Sequence, residues 1–231
     1  MSNAKVAEAL REIGIIATVR VPNEQQLLRG VAALTDGGIR AVELPYATVR
    51  CNGWLIQQLK ENGLLIGVGA VTRSAQAREA GVFGADFVTA SVITPDVVLA
   101  CNEMDVPCIL SGITPTEVWR AHEMAADFVK ITAAEPLGGP HYIRSLLEML
   151  PAVRLVGADM TLDGHASYLE AGVEVLEFRS ALAFPELVER EAWAELSQQA
   201  LEVVEARNNW QVNQSSTKVR GSRPLPAKER G

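Results

Sequence analysis

One lysine in this sequence lies where lysine is rarely found. Residues 125–132 read AADFVKIT, an apolar and β-branched run that predicts a buried β-strand, and Lys130 falls inside it. The other four lysines fall in segments that look helical or tail-like. A buried ammonium is costly without a partner, so such a group tends to neutralise. A desolvated, partly neutral lysine is the nucleophile that forms a Schiff base with a carbonyl substrate. The alternative is a strand-end lysine that pairs with a carboxylate for structural reasons.

Eight strand-like segments alternate with helical segments along the chain. Near-continuous apolar strands that alternate with amphipathic helices indicate parallel pairing with both faces of the sheet covered. Eight such units close into a (β/α)8 barrel, here with a short helix before the first strand. No glycine-rich fingerprint follows the first strand, which argues against an open, doubly wound sheet. The predicted strands are residues 15–20, 39–44, 64–69, 86–90, 106–111, 125–132, 153–157 and 175–179.

Several polar residues fall at the predicted carboxyl ends of these strands. In a barrel of this kind those ends meet on one face, where catalytic groups are found. They include Arg20, Glu43, Gly69, Lys130 and Arg179. Glu43 is a candidate for moving protons during Schiff-base chemistry, and the alternative is a plain ion pair with Lys130 or Arg20. Arg20 suits a substrate carboxylate, which it can hold with two parallel hydrogen bonds, but it suits Glu43 equally well.

The composition excludes several classes of protein. The 231 residues are 48% hydrophobic and 21% charged, as in an ordinary globular domain. A net charge of −7 argues against nucleic acid as the main partner. Three cysteines without CxxC spacing are typical of a protein in the reducing cytoplasm. The three histidines are scattered without the spacing of metal ligands, so we do not expect a metal site. No run of eighteen apolar residues and no hydrophobic signal region occur, so we expect neither a membrane span nor a secretory leader.

The end of the chain has a different character. From Asn208 onward the sequence is polar, contains glycine and proline, and carries five cationic residues against one glutamate. We therefore predict a barrel domain at residues 1–207, whose last helix covers residues 189–206, and a disordered basic tail at residues 208–231. A solvated extension is the interpretation we favour over contact with nucleic acid or an acidic partner.

The sequence also contains strings whose order and spacing resemble a known family, the class I aldolases that cleave 2-keto-3-deoxy-6-phosphogluconate, 6-phosphogalactonate or 4-hydroxy-2-oxoglutarate. The strings are GIIATVR, GGIRAVEL, LLIGVGAVT, SGITPTE and FVKITAAEPLGGPHYIRSLLEMLP, and the resemblance covers residues 10–205. It implies Lys130 as the Schiff-base nucleophile and Glu43 as the general acid/base. It places Arg20, Gly69 and Gly112 among the substrate-binding residues. It also implies a homotrimer that needs no metal or cofactor and acts on a small 2-keto acid.

The sequence departs from the family pattern around the substrate. The family has Lys-x-Phe-Pro at the nucleophile, where this chain has residues 130–133 as Lys-Ile-Thr-Ala. The family has a phosphate-cradling Thr-Gly-Gly where this chain has residues 158–160 as Ala-Asp-Met. After strand eight, the family's Gly-Ser is replaced by Arg179 and Ser180. Asp159 would repel a phosphate if it pointed inward, and Arg179 either holds the substrate or pairs with Asp159, which we favour.

These departures leave three functional hypotheses. The first is a pyruvate-releasing class I lyase for a short substrate, such as 4-hydroxy-2-oxoglutarate or, by decarboxylation, oxaloacetate. The second keeps a sugar-phosphate substrate, with Arg179 and Ser180 holding its phosphate. The third is a non-catalytic trimeric barrel, a scaffold or ligand-binding protein, in which pyruvate never forms an imine with Lys130.

Overall fold

The centre of the molecule is a closed barrel of eight parallel strands, in which each strand pairs with the next and the last pairs with the first. The structure, a computed structural model, describes residues 2–21, 23–179, 181–182 and 185–221. The predicted (β/α)8 barrel is confirmed. Its strands are β1 (Ile15–Thr18), β2 (Ala41–Pro45), β3 (Leu65–Val71), β4 (Phe87–Ala90), β5 (Cys108–Ser111), β6 (Phe128–Ile131), β7 (Leu155–Ala158) and β8 (Val175–Phe178).

Helices connect successive strands, and the predicted N-terminal helix precedes β1. Local sequence signals set several of their starts: the Asn23 side chain accepts a hydrogen bond from the Gln26 N–H, and Thr114 and Glu117 form a capping box. A 3₁₀ turn covers Glu135–Leu137. The helices are α1 (Asn3–Ile13), α2 (Glu24–Asp36), α3 (Tyr46–Val49), α4 (Trp54–Lys60), α5 (Ser74–Val82), α6 (Pro95–Glu103), α7 (Pro115–Glu123), α8 (Gly139–Met149), α9 (His165–Glu170), α10 (Pro185–Glu189) and α11 (Trp193–Gly221).

The lower part of the barrel interior, toward the amino ends of the strands, is apolar and is closed by α1. Val6, Ala7 and Leu10 recur at helical spacing and form one apolar stripe, which packs into the barrel. Their partners are strand residues that share the inner face. These are Ile16, Ala41, Leu65, Phe87, Ile109, Phe128, Val156 and Val175.

The next level of the interior, two residues further along each strand, is polar. Side chains alternate across a strand, so residues two apart share a face. This polar level therefore lies above the apolar part of the interior that α1 closes. It is nearer the carboxyl ends of the strands, where barrel enzymes have their active sites. It consists of Thr18, Glu43, Gly67, Thr89, Ser111, Lys130, Ala158 and Glu177.

The last helix is longer than the sequence predicted. We expected it to end at Ala206 before a disordered tail, but α11 continues to Gly221. The helix continues because no glycine or proline interrupts residues 208–220 and because Trp210 packs against the core. Residues 222–231 lie outside the described ranges, and the disordered basic tail stays a prediction. Within the described ranges, no helix combines the length and apolar character that crossing a bilayer requires.

Candidate active site

Lys130 lies in the polar level of the barrel between two buried carboxylates. Its Nζ is 2.9 Å from Oε2 of Glu177 on β8 and 3.7 Å from Oε2 of Glu43 on β2. All three side chains are almost completely buried. The strand that carries Lys130 thus holds an amine at the barrel axis, where carboxylates from two other strands converge on it. We call Lys130, Glu43 and Glu177 the charged cluster.

Glu177 was not singled out in the sequence, although the signal was present. It stands inside an apolar strand, VLEF, just as Lys130 stands inside FVKI, and it has no exposed surface. The Thr18 hydroxyl of β1 donates to its Oε1 at 3.2 Å. A buried carboxylate is as expensive as a buried ammonium unless it is paired. The rule that identified the lysine therefore identifies this glutamate as well.

The charged cluster changes the expected protonation of Lys130. Burial alone lowers the pKa of Lys130, as the sequence suggested. Glu43 and Glu177 outweigh burial, however, so that the pKa of Lys130 lies above its ordinary value. The expectation of a partly neutral lysine in the free protein is therefore wrong. A proton must leave the ammonium before the nitrogen can attack a carbonyl.

Glu43 is held in place by its surroundings on β3 and β4. The Thr89 hydroxyl donates a hydrogen bond to its Oε2. Gly69, predicted as a substrate-binding residue, lies directly against it: a Cβ on Gly69 would be 2.0 Å from the Glu43 Oε1. The role that the structure gives to Gly69 is to leave room for the carboxylate, and a contact with substrate stays a prediction.

A cavity of about 270 Å³ opens above the charged cluster at the mouth of the barrel, its strand carboxyl-terminal end. Arg20 is exposed at this mouth, and within the described part of the chain it forms no ion pair. The structural pairing of Arg20 with Glu43 is thus not formed. The cavity is lined by Arg20, Glu43, Ala70, Ser91, Ser111, Lys130, Thr132, Ala133, Asp159, Glu177 and Arg179.

Arg179 is bound to Asp159 at the rim of this cavity. Its Nε and Nη2 donate to the two carboxylate oxygens in a bidentate pair, which confirms the pairing favoured from the sequence. Asp159 adopts a left-handed backbone conformation with φ of 63°, a region that glycine enters most readily and aspartate better than most residues. Ala70 and Ala133, which also line the cavity, have φ of 58° and 53°. Strained residues of this kind cluster at functional sites.

Gly112 and Ser180 are the two remaining residues that the sequence predicted to bind substrate. The buried Gly112 follows β5, and its N–H donates to the carbonyl of Lys130 at 3.0 Å, but Gly112 does not line the cavity. Its predicted contact with substrate stays a prediction. Ser180 lies outside the described residues. Among the described residues, no three histidine, cysteine or acidic side chains are grouped so that they could hold a metal ion.

Comparison with known proteins identifies similar chains. A family model described as KDPG and KHG aldolase matches residues 6–199. The 2-dehydro-3-deoxy-phosphogluconate aldolase of Treponema pallidum (strain Nichols) is 32% identical over 152 residues, which are 65% of this chain and 72% of the relative. The 2-dehydro-3-deoxy-6-phosphogalactonate aldolase of Escherichia coli (strain K12) is 27% identical over 166 residues, covering 70% and 80%. A solved structure described as native KDPGal has a TM-score of 0.74 at 26% identity, covering 85% of this chain and 95% of the other.

Proposed function

The chain belongs to the KDPG and KHG aldolase family of carbon–carbon lyases, and we propose that it cleaves a short 2-keto acid through a Schiff base on Lys130 and releases pyruvate. The observation that carries this proposal is the position of Lys130, whose amine lies at the barrel axis beside Glu43 and below an open cavity. A buried lysine with a proton-moving carboxylate in reach is the arrangement that Schiff-base chemistry needs.

The proposed reaction uses the amine and Glu43 in turn. The neutral Lys130 nitrogen attacks C2 of the substrate, and loss of water gives a protonated imine. The imine withdraws electrons as the C3–C4 bond breaks and the substrate's C4 hydroxyl becomes the carbonyl of the leaving aldehyde. Glu43 accepts the hydroxyl proton and delivers a proton to C3 of the resulting enamine. Hydrolysis then releases pyruvate and restores the lysine.

The rim of the cavity favours a short, unphosphorylated substrate. Arg179, the cation nearest the family's phosphate position, is already neutralised by Asp159. A phosphate there would meet the Asp159 carboxylate, which repels it. Arg20 remains available for a carboxylate, and a cavity of about 270 Å³ suits a small acid. 4-Hydroxy-2-oxoglutarate fits this description, and its cleavage yields pyruvate and glyoxylate.

Borohydride trapping tests the proposal. The protein is incubated with pyruvate, reduced, and examined by intact-protein and peptide mass spectrometry. We expect one adduct, located on Lys130 and absent from Lys130→Ala. Lys60→Ala is the matched control, because Lys60 is a partly exposed lysine that pairs with Asp86 away from the cavity, and its adduct should be unchanged. No adduct on the folded wild-type protein would overturn the proposal.

A substrate panel then tests the specificity. Phosphorylated and unphosphorylated 4-hydroxy-2-keto acids are compared by the pyruvate they release, together with oxaloacetate for decarboxylation. We expect the short dicarboxylate to be cleaved with the higher kcat/KM and inorganic phosphate to inhibit weakly. Tight competitive inhibition by phosphate would instead support a sugar-phosphate substrate.

One observation favours the non-catalytic alternative, a barrel that binds ligands without turnover. The carboxylates of the charged cluster raise the pKa of Lys130, and an ammonium held in this way does not attack a carbonyl unless it is deprotonated. The trapping experiment separates the two functions, since the alternative predicts no imine at any pyruvate concentration.

We also propose a homotrimer, as the family resemblance implies. A designed protein cage built by fusing symmetric oligomeric domains contains a similar fold, with a TM-score of 0.79 and 25% identity over 90% of this chain. Light scattering coupled to gel filtration would give the mass directly, and a monomeric mass would contradict the proposal.

A further inference from the structure

Glu177 has no part in the reaction described above, yet it is the carboxylate closest to the nucleophile. Its Oε2 is 2.9 Å from the Lys130 Nζ, whereas the Glu43 Oε2 is 3.7 Å away. Only the shorter distance lies within reach of direct proton transfer. The contact is an ion pair whose angles are not those of a hydrogen bond, and catalytic contacts of this kind often become aligned only when substrate binds. The Glu43 Oε2 is further engaged by the Thr89 hydroxyl. A buried carboxylate in direct contact with the reacting nitrogen requires a function.

We propose that Glu177 is a second catalytic carboxylate, which takes the proton from the Lys130 ammonium and returns it to the oxygen that leaves C2 as water. Glu43 is then kept for the proton transfers that accompany cleavage of the C3–C4 bond. The inference rests on the Schiff-base function proposed above and divides the acid–base work of that function between two residues.

The step balances without any further reactant. Proton transfer from Nζ to Glu177 gives a neutral amine and a carboxylic acid. The nitrogen then forms a bond to C2 while the carbonyl π bond breaks, and the oxygen takes the proton from Glu177. A second nitrogen-bound proton follows the same route, the C–O bond breaks, and water leaves as the C=N bond forms. Ammonium and ketone thus become protonated imine and water.

The charges around Glu177 suit this exchange. Burial, and then repulsion from Glu43 on β2, raise the pKa of Glu177, while Lys130 on β6 and Arg179 at the end of β8 oppose the rise. The net direction is upward, so this carboxylate is a stronger base than an exposed one and its proton affinity is closer to that of an amine. From β1, the Thr18 hydroxyl holds the other oxygen and fixes the orientation of the carboxylate.

A purely structural role for Glu177 makes the opposite prediction. If Glu177 only neutralised the ammonium, its replacement by the isosteric, uncharged glutamine would lower the pKa of Lys130. More neutral amine would then be present near pH 7, and the imine would form faster. If Glu177 is the base, the same replacement removes the proton acceptor and the imine forms more slowly. The sign of the change therefore separates the two roles.

The experiment measures the rate of imine formation with pyruvate in wild type and Glu177→Gln between pH 6 and 9, with cyanoborohydride as the trap. We expect the variant to be about 100-fold slower near pH 7, in line with the usual contribution of a general base. The deficit should shrink as pH rises, because hydroxide then removes the proton that Glu177 removed. Glu177→Asp, which retains a carboxylate at greater distance, should give an intermediate rate.

A second readout separates the two carboxylates. Deuterium exchange at C3 of pyruvate, counted per imine formed, should persist in Glu177→Gln and be lost in Glu43→Gln. Thr18→Val provides an independent variant should Glu177→Gln not fold, since it keeps the carboxylate and removes only the hydroxyl that orients it. We expect imine formation to slow several-fold in Thr18→Val without loss of exchange per imine.

The outcomes are distinguishable. No imine in the wild type overturns the Schiff-base function and the role of Glu177 with it. Imine in the wild type and an equal or faster rate in Glu177→Gln leaves the function intact and overturns only the role of Glu177. If only Thr18→Val can be measured, an unchanged rate overturns that role.

Discussion

The Glu43 carboxylate fills the space that a side chain at position 69 would need. A Cβ on Gly69 would lie 2.0 Å from the Glu43 Oε1 and 2.2 Å from its Cδ, far closer than non-bonded atoms approach. The carboxylate of β2 therefore reaches the barrel axis only because β3 carries a glycine at this position. The placement of the proposed general acid/base is thus determined by a missing side chain on the neighbouring strand.

Gly69→Ala should displace the Glu43 carboxylate and reduce cleavage of a 2-keto acid by about 100-fold or more, the usual effect of misplacing a catalytic group by about 1 Å. Pyruvate adduct formation on Lys130 should decrease less, because Glu177 remains in contact with the amine. The measurements are the rate of pyruvate release and the yield of trapped adduct.

Gly30→Ala is the matched control for this variant. Gly30 lies inside α2, and its added methyl would be 3.7 Å from the Trp193 ring of α11, an ordinary van der Waals distance. Alanine at this helical position should stabilise the protein by about 0.5–1 kcal/mol. Cleavage at wild-type rate by Gly69→Ala would show that the Glu43 position is not critical.

Asp159→Gly should restore affinity for phosphorylated substrates. The change frees the guanidinium of Arg179 and places glycine at a φ of 63°, which glycine adopts without strain. We expect the kcat/KM ratio of a phosphorylated to an unphosphorylated substrate to rise about tenfold or more, since a charge-assisted contact contributes about 1.5–3 kcal/mol.

Asp105→Gly tests whether backbone relaxation alone has this effect. Asp105 is also an aspartate in the left-handed region, with φ of 54°, but it precedes β5 and lies away from the cavity. The substrate ratio should stay at its wild-type value in this control. An equal rise in both variants would rule out Arg179 as the determinant.

The sequence predicts Lys130 because it is a charge inside an apolar strand, and Glu43 because it falls at the carboxyl end of one. Glu177 meets the criterion that identifies Lys130, but Arg179 is the residue at the predicted carboxyl end of strand eight, and it draws the attention instead. The contact of Lys130 with Glu177 joins β6 to β8, which β7 separates. Strand order along the chain does not show which side chains meet across the interior, and only closure of the barrel brings these two together.

The same reason explains the error about the protonation of Lys130. Burial is readable from the strand pattern, and it predicts a lowered pKa. The opposing effect depends on how many carboxylates converge on the nitrogen, and here Glu43 and Glu177 both do. By contrast, the pair of Arg179 with Asp159 was predictable, since both follow the ends of neighbouring strands β7 and β8.

The unexpected length of α11 has a consequence for stability. Trp210 lies beyond the predicted end of the helix and packs against the core while partly buried. Trp210→Ala should therefore lower the free energy of unfolding by about 2 kcal/mol, less than for a fully buried tryptophan. Leu201→Ala, at a more exposed site on the same helix, should cost clearly less. Urea unfolding gives both values. Equal losses of unfolding free energy would mean that Trp210 stabilises the fold no more than the exposed Leu201 does.

The charged cluster should make the stability of a lysine variant depend on pH. Lys130→Met leaves two buried carboxylates without their cation, which should cost about 3–5 kcal/mol near pH 8. Glu177 already has a pKa above its unfolded value, from burial and from Glu43, and loss of the ammonium raises it further. A carboxyl with a raised folded pKa favours folding when it is protonated, and that stability disappears as pH rises through the folded pKa. The variant should consequently be closest to wild type near pH 5.

Urea unfolding of Lys130→Met at pH 5 and pH 8 measures this difference, with Lys60→Met as the control. The Lys60–Asp86 pair is partly exposed, so its loss should cost about 1 kcal/mol or less at either pH. Lys130→Met/Glu177→Gln removes the extra buried charge as well, and it should recover part of the stability at pH 8 but little at pH 5. A Lys130→Met variant with the same stability at both pH values would mean that the charge of the two carboxylates does not depend on the lysine.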